Sequence, residues 1–513
     1  MKLNHLILTR ALATCALLSA GCADVAYRGT LPAAEVVERA CNPAVDTGHD
    51  AFEVCRFDKV VNGGKQLYSG HYALGFVEFD DQGWLHESAA PGSNGQIESL
   101  MDQLQHLRRR ARERVETRDA ALGSADECQG KDQHFLIMVY VHGWKHSAAQ
   151  GDSDLRSFRG LLEDLDRYEH QDAASGDKAG TRHCARMVVG VYVGWRGATV
   201  PIWGLENLTF WTRKNSAARV GDGSVRQLLV QLNELRADLN GWSGSTKLAG
   251  WNQSQLVTIG HSFGGLVVFR ALQGPLIDRG LRRDGEKHQY RMAKSFGDFV
   301  LLVNPAFEGA IYEPLWNAAL ARQGFPEGQR PILATVTSKT DWATGWAFPI
   351  GRLYTYGQSA PHSEREERAT VLRAVGHLNR YVTHELHRVR DLSARTVTDE
   401  VSGNVSSSLP KLDLATVAAE RAALTAPGGD ATFQGSCLER VGNKKLPSGF
   451  PYLNIRADKE MIDGHNEIWN PNFQQFVLDF VALNVSGEAV SDPAQQAAWR
   501  RAARRGINEC REE

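Results

Sequence analysis

Short runs of almost unbroken apolar residues recur along this chain of 513 residues. Runs of this length without alternation are typical of strands that are buried on both faces of a parallel sheet. We therefore predict strands at residues 135–141, 187–193, 256–259, 299–303, 332–337 and 452–457.

Amphipathic stretches separate several of these runs. Apolar residues recur at helical spacing in residues 153–167, 225–239 and 473–483, which predicts helices between the strands. Strands that alternate with helices favour an α/β fold with a doubly wound, mostly parallel sheet. Sheets of this kind place their sites at the carboxyl ends of the strands.

The alternation has one long interruption. Residues 361–445 separate the last two predicted strands, which is far more than an ordinary connection. This segment has a charged helical pattern over residues 364–390 and a stretch rich in Ser, Gly and Thr around residues 401–409. We therefore predict an inserted helical segment and a flexible loop within a domain spanning residues 68–490.

The pattern is weaker before residue 135. Residues 22–67 have mixed composition and little periodicity, so we interpret them as an N-terminal extension. Residues 72–79 alternate like a strand, a turn sequence follows, and residues 84–85 begin a return strand, which predicts a hairpin. A helix is predicted over residues 96–118. At the other end, residues 491–513 are interpreted as a C-terminal tail.

The first residues have the pattern of an export signal. Basic residues flank an apolar stretch that ends at residues 18–22 with Leu-Ser-Ala-Gly-Cys, and the stretch is too short to span a bilayer comfortably. The ending resembles a bacterial lipobox, although its Leu stands one place early. Residues 1–21 are therefore interpreted as a lipoprotein signal and Cys22 as a lipidated membrane anchor. The resemblance implies an outer-membrane protein that faces the periplasm; cleavage after Ala23 would instead release a soluble periplasmic or secreted protein.

The cysteines agree with export. Of the eight cysteines, Cys15 lies in the signal and Cys22 would carry lipid. An even number of remaining cysteines in an oxidising compartment suggests disulfides. These residues are Cys41, Cys55, Cys128, Cys184, Cys437 and Cys510.

The cysteine positions suggest one pairing. Cys128 and Cys184 stand just before two predicted strands, so their sulfurs can meet if those strands are parallel neighbours. Six cysteines allow fifteen pairings, and buried free thiols are the alternative. The other two pairs follow by proximity and by elimination: Cys41–Cys55 and Cys437–Cys510.

Bulk composition excludes some partners and cofactors. Hydrophobic residues make up 42% of the chain, charged residues 23%, and the net charge is −2. A nearly neutral globular chain gives no case for a nucleic-acid partner. The glycine-rich motifs that cradle nucleotide phosphates are also missing, so no cofactor is predicted. The oligomeric state stays open.

One motif carries candidate chemistry. Residues 260–264 read Gly-His-Ser-Phe-Gly and lie between an apolar strand and a helical run. On so tight a turn the serine is lifted out of the sheet, and the glycines avoid a Cβ clash. The turn also aims the N–H of Phe263 beside the Ser262 hydroxyl, where a developing oxyanion can be held. This motif resembles the nucleophile elbow of the α/β-hydrolase superfamily.

The resemblance implies a chain order of serine, acid and histidine. His465 follows the last predicted strand, and no other histidine comes after residue 387, so we expect it to be the general base. We choose Asp341 as the carboxylate that orients the base. Most loop carboxylates only cap turns. The alternatives near other strands or within the histidine loop are Glu308, Asp458 and Asp463.

An oxyanion hole needs a second N–H donor. His142, Gly143 and Trp144 follow the strand at residues 135–141 and resemble the His-Gly oxyanion loop of lipases and esterases. This implies that Trp144, or less readily Gly143, supplies the second N–H beside that of Phe263. The aromatic-rich residues 193–211 are interpreted either as an acyl pocket or membrane-facing lid, or as an ordinary core loop.

The predicted insertion contains a group of histidines that resembles a metal-binding site at first sight. The zinc motif places two residues between its glutamate and second histidine, and the residues here lack that spacing. We therefore predict no metal site at His377, His384, Glu385 and His387.

The residues together favour a serine hydrolase. The resemblance implies an esterase or lipase that cleaves an acyl ester or lipid through an acyl-enzyme on Ser262. One alternative is a non-catalytic envelope lipoprotein that uses the fold for binding. Another is an acyltransferase with the same triad. The substrate and its acyl chain stay open because they depend on pocket shape.

Overall fold

The structure is a computed structural model, and its described residues cover most of the predicted domain. They are residues 26–29, 38–41, 50–61, 66–86, 95–122, 134–175, 185–197, 210–241, 253–283, 290–326, 328–356, 365–388, 396–398, 405–407, 424, 431–433, 435–442 and 445–485. The predicted signal, the predicted lipidation site Cys22 and the predicted C-terminal tail lie outside them.

Fourteen strands occur within the described residues. In chain order they are β1 (Glu38–Ala40), β2 (Phe52–Val61), β3 (Gln66–Phe79), β4 (Phe135–Val141), β5 (Met187–Trp195), β6 (Gln255–His261), β7 (Phe299–Val303), β8 (Leu333–Ser338), β9 (His384–Arg388), β10 (Thr396–Thr398), β11 (Val405–Ser407), β12 (Ala431–Phe433), β13 (Ser436–Arg440) and β14 (Tyr452–Ala457).

Twelve of these strands form one sheet. Its order is β1-β2-β3-β5-β4-β6-β7-β8-β14-β9-β13-β12, and β10 pairs only with β11. From β3 to β9 every neighbouring pair is parallel, whereas β2, β12 and β13 pair antiparallel with their inner neighbours. The predicted mostly parallel sheet is confirmed.

The α-helices within the described residues follow the strands in turn. They are α1 (Gln96–Leu122), α2 (Ser153–Ser175), α3 (Phe210–Asp222), α4 (Val225–Leu239), α5 (Phe263–Leu281), α6 (Gly309–Leu320), α7 (Phe348–Tyr356), α8 (Arg365–Leu372) and α9 (Pro471–Val485). A π-helical turn at Ala343–Ala347 leads into α7, and a 3₁₀ turn at Val375–His377 follows α8.

Helices cover both faces of the sheet. Successive residues of β4 alternate between two apolar cores. Ile137 and Val139 pack in a core with residues of α1, α4 and α5, whereas Leu136 and Met138 pack in a core with residues of α2 and α9. Burial on both faces explains why the central strands have continuous apolar sequences. The chain is therefore a doubly wound α/β protein, as predicted.

The N-terminal prediction is wrong in one respect. β1 and β2 lie within residues 22–67 and join the sheet, where β3 pairs antiparallel with β2. The predicted return at residues 84–85 is present as a single antiparallel bridge between Phe79 and Leu85. The sequence did not predict β2 because the strand contains charged residues. The partners of these residues lie on α2. Glu53 is buried in an ion pair with Arg159, and Lys59 lies 2.7 Å from Asp164.

The inserted segment also differs from the prediction of a helix over residues 364–390. α8 ends at Leu372, and β9 occupies His384–Arg388 in the main sheet, between β14 and β13. His384 and Leu386 are buried, whereas Glu385 and His387 are partly exposed. This period of two was hidden because most residues of β9 are polar or charged.

The cysteine predictions have a mixed outcome. Cys41 and Cys55 form a disulfide, as predicted. Cys437 is also disulfide-bonded, and its predicted partner Cys510 lies outside the described residues. β4 and β5 are parallel neighbours, as the third pair requires, but Cys128 and Cys184 are outside the described residues.

Within the described part of the chain, no helix combines the length and the apolar character that crossing a bilayer requires.

Candidate active site

Ser262 lies on a strained turn between β6 and α5. β6 ends at His261, α5 begins at Phe263, and Ser262 has φ 54° and ψ −118°. A non-glycine residue with positive φ is uncommon and persists where the surroundings enforce it. Here the surroundings are tight, because a Cβ on Gly264 would lie 2.0 Å from the carbonyl oxygen of Val141. The turn therefore has the geometry predicted for a nucleophile elbow.

The structure brings the three predicted triad residues into one hydrogen-bonded chain. Asp341 follows β8, and His465 lies in the loop between β14 and α9. His465 Nε2 is 2.7 Å from Ser262 Oγ, and His465 Nδ1 is 2.9 Å from Asp341 Oδ2. The carboxylate can only accept, so Nδ1–H donates to it and Nε2 accepts the serine proton. This is the arrangement of a nucleophile, a base and an orienting acid.

Asp341 is buried and ionised. Its residue is 2% exposed. Burial alone would raise the pKa of its carboxyl, but the neighbouring His465 and hydrogen bonds from His465 and Thr344 outweigh burial and lower the pKa. A carboxylate that stays charged keeps the proton of His465 on Nδ1, which leaves Nε2 free to take the proton of Ser262.

Asn304 and His261, to which the sequence assigned no role, hold the histidine loop. Asn304 Nδ2 donates to the carbonyl oxygens of Gly464 at 3.1 Å and His465 at 2.9 Å. His261 Nε2 also lies 3.0 Å from the His465 carbonyl oxygen. Asn304 Oδ1 in turn accepts from the Ser338 N–H at 2.8 Å. These contacts fix the base relative to β6, β7 and β8.

The predicted oxyanion loop follows β4 and is fixed by His142. His142 Nε2 accepts from the Trp195 backbone N–H at 3.1 Å, and the Trp195 indole donates to the His142 carbonyl oxygen at 2.9 Å. The other ring nitrogen, Nδ1, contacts the Gly143 carbonyl oxygen at 2.9 Å. Burial lowers the pKa of His142 to about 4. The ring is therefore neutral near pH 7 and serves as a structural brace for the loop.

Two of the three candidate oxyanion donors, Gly143 and Phe263, lie beside Ser262, and Trp144 follows Gly143 in the same loop. A Cβ on Gly143 would lie 3.0 Å from the Ser262 Cβ, so the backbone of Gly143 passes directly beside the nucleophile. Phe263 is the first residue of α5, where backbone N–H groups have no acceptor within the helix. Trp144 packs edge-on against Phe210, with ring centroids 5.3 Å apart.

Aromatic residues line the neighbourhood of the elbow. Phe210 lies 4.8 Å from Phe263 between ring centroids, and it also contacts Trp211. Trp211 packs against Phe348 of α7 at 5.6 Å. Most of the loop predicted over residues 193–211 lies outside the described residues, but its end therefore contributes an apolar wall beside the candidate nucleophile.

The alternative acid Glu308 has different partners. Glu308 is buried and is the N-cap residue of α6. Its Oε1 lies 2.6 Å from Lys214 Nζ and 2.9 Å from Arg352 Nε. Asp458 pairs with Lys339 at 2.7 Å, and Asp463 lies 3.4 Å from Thr340. Asp341 is the carboxylate in hydrogen-bond contact with His465 Nδ1.

The histidines of the insertion have separate partners. His377 lies 2.8 Å from the Thr344 hydroxyl, whereas His384 contacts the Thr383 hydroxyl at 2.9 Å. His387 pairs with Asp458, which directly follows β14. His377 is therefore the member of this group that reaches the candidate site, and it does so through Thr344.

Comparisons with known proteins identify no family for this chain. No family model matches the sequence, and no curated protein does. Among solved structures the chain is similar to phospholipase PlaB from Legionella pneumophila in complex with thio-NAD, at 12% identity and a TM-score of 0.21. The match covers 50% of this chain and 46% of that chain, so it spans less than half of the phospholipase. These comparisons therefore assign no reaction class to the chain.

Proposed function

We propose that this protein is a serine hydrolase of the α/β-hydrolase type that cleaves carboxylic esters. The hydrogen-bonded chain Ser262–His465–Asp341 carries the proposal, with distances of 2.7 Å and 2.9 Å between successive side chains. Its residues follow the ends of parallel strands in the order serine, acid and histidine, which is the order in this superfamily.

The proposed reaction has two halves. Ser262 Oγ attacks the acyl carbonyl as its proton passes to His465 Nε2, and the carbonyl oxygen becomes an oxyanion. His465 then gives that proton to the leaving alcohol, the ester C–O bond breaks, and an acyl-enzyme remains. Water, deprotonated by His465, attacks the acyl group and releases a carboxylic acid, and the proton returns to Ser262.

The oxyanion is proposed to bind N–H groups of Phe263 and Trp144, with Gly143 as the alternative second donor. The helix N-terminus at Phe263 and the close approach of the Gly143 backbone to Ser262 support this assignment. Fixed donors of this kind stabilise charge that develops in the transition state.

An ester with an apolar acyl chain suits the surroundings of the site. The aromatic contacts between Phe263, Phe210 and Trp144 form an apolar wall beside Ser262. On the segment that follows Asp341, four large apolar residues are each more than half exposed. They are Trp342, Trp346, Ile350 and Leu353.

Labelling with a fluorophosphonate tests the proposal. We expect covalent modification of the folded full-length chain, with the adduct mapped to Ser262 by peptide mass spectrometry and absent from Ser262→Ala. Hydrolysis of a series of nitrophenyl esters of increasing acyl length should then define the substrate range. A folded chain that resists the probe and cleaves none of the esters would identify a non-catalytic binding protein.

We also propose that the protein is exported as a lipoprotein anchored through Cys22. The signal pattern supports this, and the Cys41–Cys55 disulfide fits an oxidising compartment. Cells fed an alkyne fatty acid should label the wild-type chain and not Cys22→Ala, which should stay unprocessed. Equal labelling of the two chains would contradict the anchor.

A further inference from the structure

The insertion brings His377 against the end of β8. A Cβ on Gly376 would lie 1.9 Å from the Thr337 Oγ1, so glycine lets this 3₁₀ turn contact the strand that leads to Asp341. The Gly376 carbonyl oxygen also accepts from Arg456 Nε of β14 at 3.3 Å. Two strands of the sheet therefore set the position of the turn.

Thr344 holds both oxygens of the Asp341 carboxylate. Its backbone N–H donates to Oδ1 at 3.0 Å, and its hydroxyl donates to Oδ2. Thr344 is buried within the π-helical turn. The oxygen that accepts from the Thr344 hydroxyl, Oδ2, is the same oxygen that accepts from His465.

The chemistry of the groups determines which one donates in each hydrogen bond between His377, Thr344 and Asp341. The single hydroxyl proton of Thr344 goes to the Asp341 carboxylate, which has no proton to give. The contact of 2.8 Å between Thr344 Oγ1 and His377 Nε2 must then be donated by Nε2–H. Gly345 leaves room for the ring, since a Cβ there would lie 3.3 Å from His377 Cε1.

The surroundings of His377 favour the neutral ring. Burial lowers its pKa, and the positive charges of Arg456 and Arg373 act in the same direction, as does His465. The negative charge of Asp341 opposes them. In the neutral ring, the tautomer with its proton on Nε2 supplies the N–H that the contact with Thr344 requires.

We infer that His377 is a positioning residue that fixes the Thr344 hydroxyl and, through it, the direction in which Asp341 faces His465. A threonine hydroxyl can rotate between three staggered positions. Because the Thr344 oxygen accepts a hydrogen bond from His377, its own proton is left to point at Asp341. Hydrogen bonds that share a group also polarise one another in a buried site. The consequence for catalysis rests on the proposed function, whereas the orientation of Asp341 does not.

Variants at His377 test the inference. His377→Leu should lower kcat for an ester by about tenfold, the effect of losing roughly one hydrogen bond, and leave KM nearly unchanged. His377→Gln keeps an N–H donor and should recover most of the activity. His387→Leu is the matched control, because His387 lies in the same segment and pairs with Asp458 instead; its kcat should equal that of wild type.

A double-mutant cycle with Thr344→Val separates positioning from general structure. Valine keeps the shape and the backbone N–H and removes the hydroxyl. Because His377 acts through that hydroxyl, His377→Leu should cause no further loss in the Thr344→Val background. Losses that multiply, or a His377→Leu variant with wild-type kcat, would overturn the inference. Equal thermal midpoints for His377→Gln and wild type would show that the fold is intact.

A spectroscopic readout keeps this test independent of activity. The proton between His465 Nδ1 and Asp341 should give a downfield signal in one-dimensional proton NMR of the full chain, identified by its loss in His465→Gln. His377→Leu should shift or broaden this signal, and His387→Leu should not. Failure of wild type to react with the fluorophosphonate would refute the proposed function alone. An unmoved signal in His377→Leu would refute the positioning role.

Discussion

Ser262→Ala is expected to lower kcat for ester hydrolysis by roughly four to six orders of magnitude. The substitution removes Oγ, and His465 Nε2 then has no hydroxyl to activate at its distance of 2.7 Å. KM should change little, because the apolar wall and the oxyanion loop remain. Steady-state kinetics on a short-chain ester measure both constants.

The control for this variant is another buried serine. Ser436 lies on β13, and its hydroxyl has no hydrogen-bond partner among the described residues. Ser436→Ala should therefore retain wild-type kcat. Residues that act as one unit are not additive, so His465→Ala should add little to Ser262→Ala. A Ser262→Ala variant that keeps a tenth of wild-type kcat would show that the nucleophile is a different group.

The central fold was predictable because its strands are buried on both faces. Residues 135–141, 299–303 and 452–457 were predicted with the bounds that the structure has. In such strands every side chain meets a helix layer, so the sequence is a plain apolar run. Parallel strands also end at one edge, which is why Asp341 and His465 could be expected near Ser262.

The edge strands could not be predicted because their polar residues depend on distant partners. Glu53 on β2 is acceptable in the core only because Arg159 comes from α2, 106 residues away. In β9, Glu385 forms an ion pair with Lys339, which directly follows β8. The Lys339 Nζ lies 2.9 Å from the Glu385 Oε2. A local pattern contains no information about such partners.

The supporting residues of the site were missed for a related reason. Asn304 directly follows β7 and Thr344 lies in the π-helical turn, and no sequence spacing relates either residue to the triad. His377 was singled out in the sequence only as a member of a histidine group that lacks the spacing of the zinc motif. Their contacts arise from the sheet order, which places β8 and β14 side by side, and a sequence read in one dimension does not show that order.

Asp341→Asn is expected to lower kcat by about four orders of magnitude while the fold is retained. The amide is nearly the same shape as the carboxylate, but its N–H₂ group donates where His465 needs an acceptor. The Nδ1–H of His465 then loses its partner, and the tautomer with the proton on Nε2 is favoured, which cannot accept the proton of Ser262. Kinetics and the rate of fluorophosphonate labelling should both fall.

Glu308→Gln separates the two candidate acids. Glu308 balances the charge of the buried Lys214, whose pKa burial lowers, so its neutralisation should reduce the thermal unfolding temperature. The folded fraction should keep a kcat within a few-fold of wild type, because the structure places Asp341 rather than Glu308 on His465 Nδ1. The reverse result, with Glu308→Gln inactive and Asp341→Asn active, would require the base to turn toward α6 during the reaction. Asn304 and His261 hold the backbone of His465 through its carbonyl oxygen, at 2.9 Å and 3.0 Å, so the side chain alone would have to rotate.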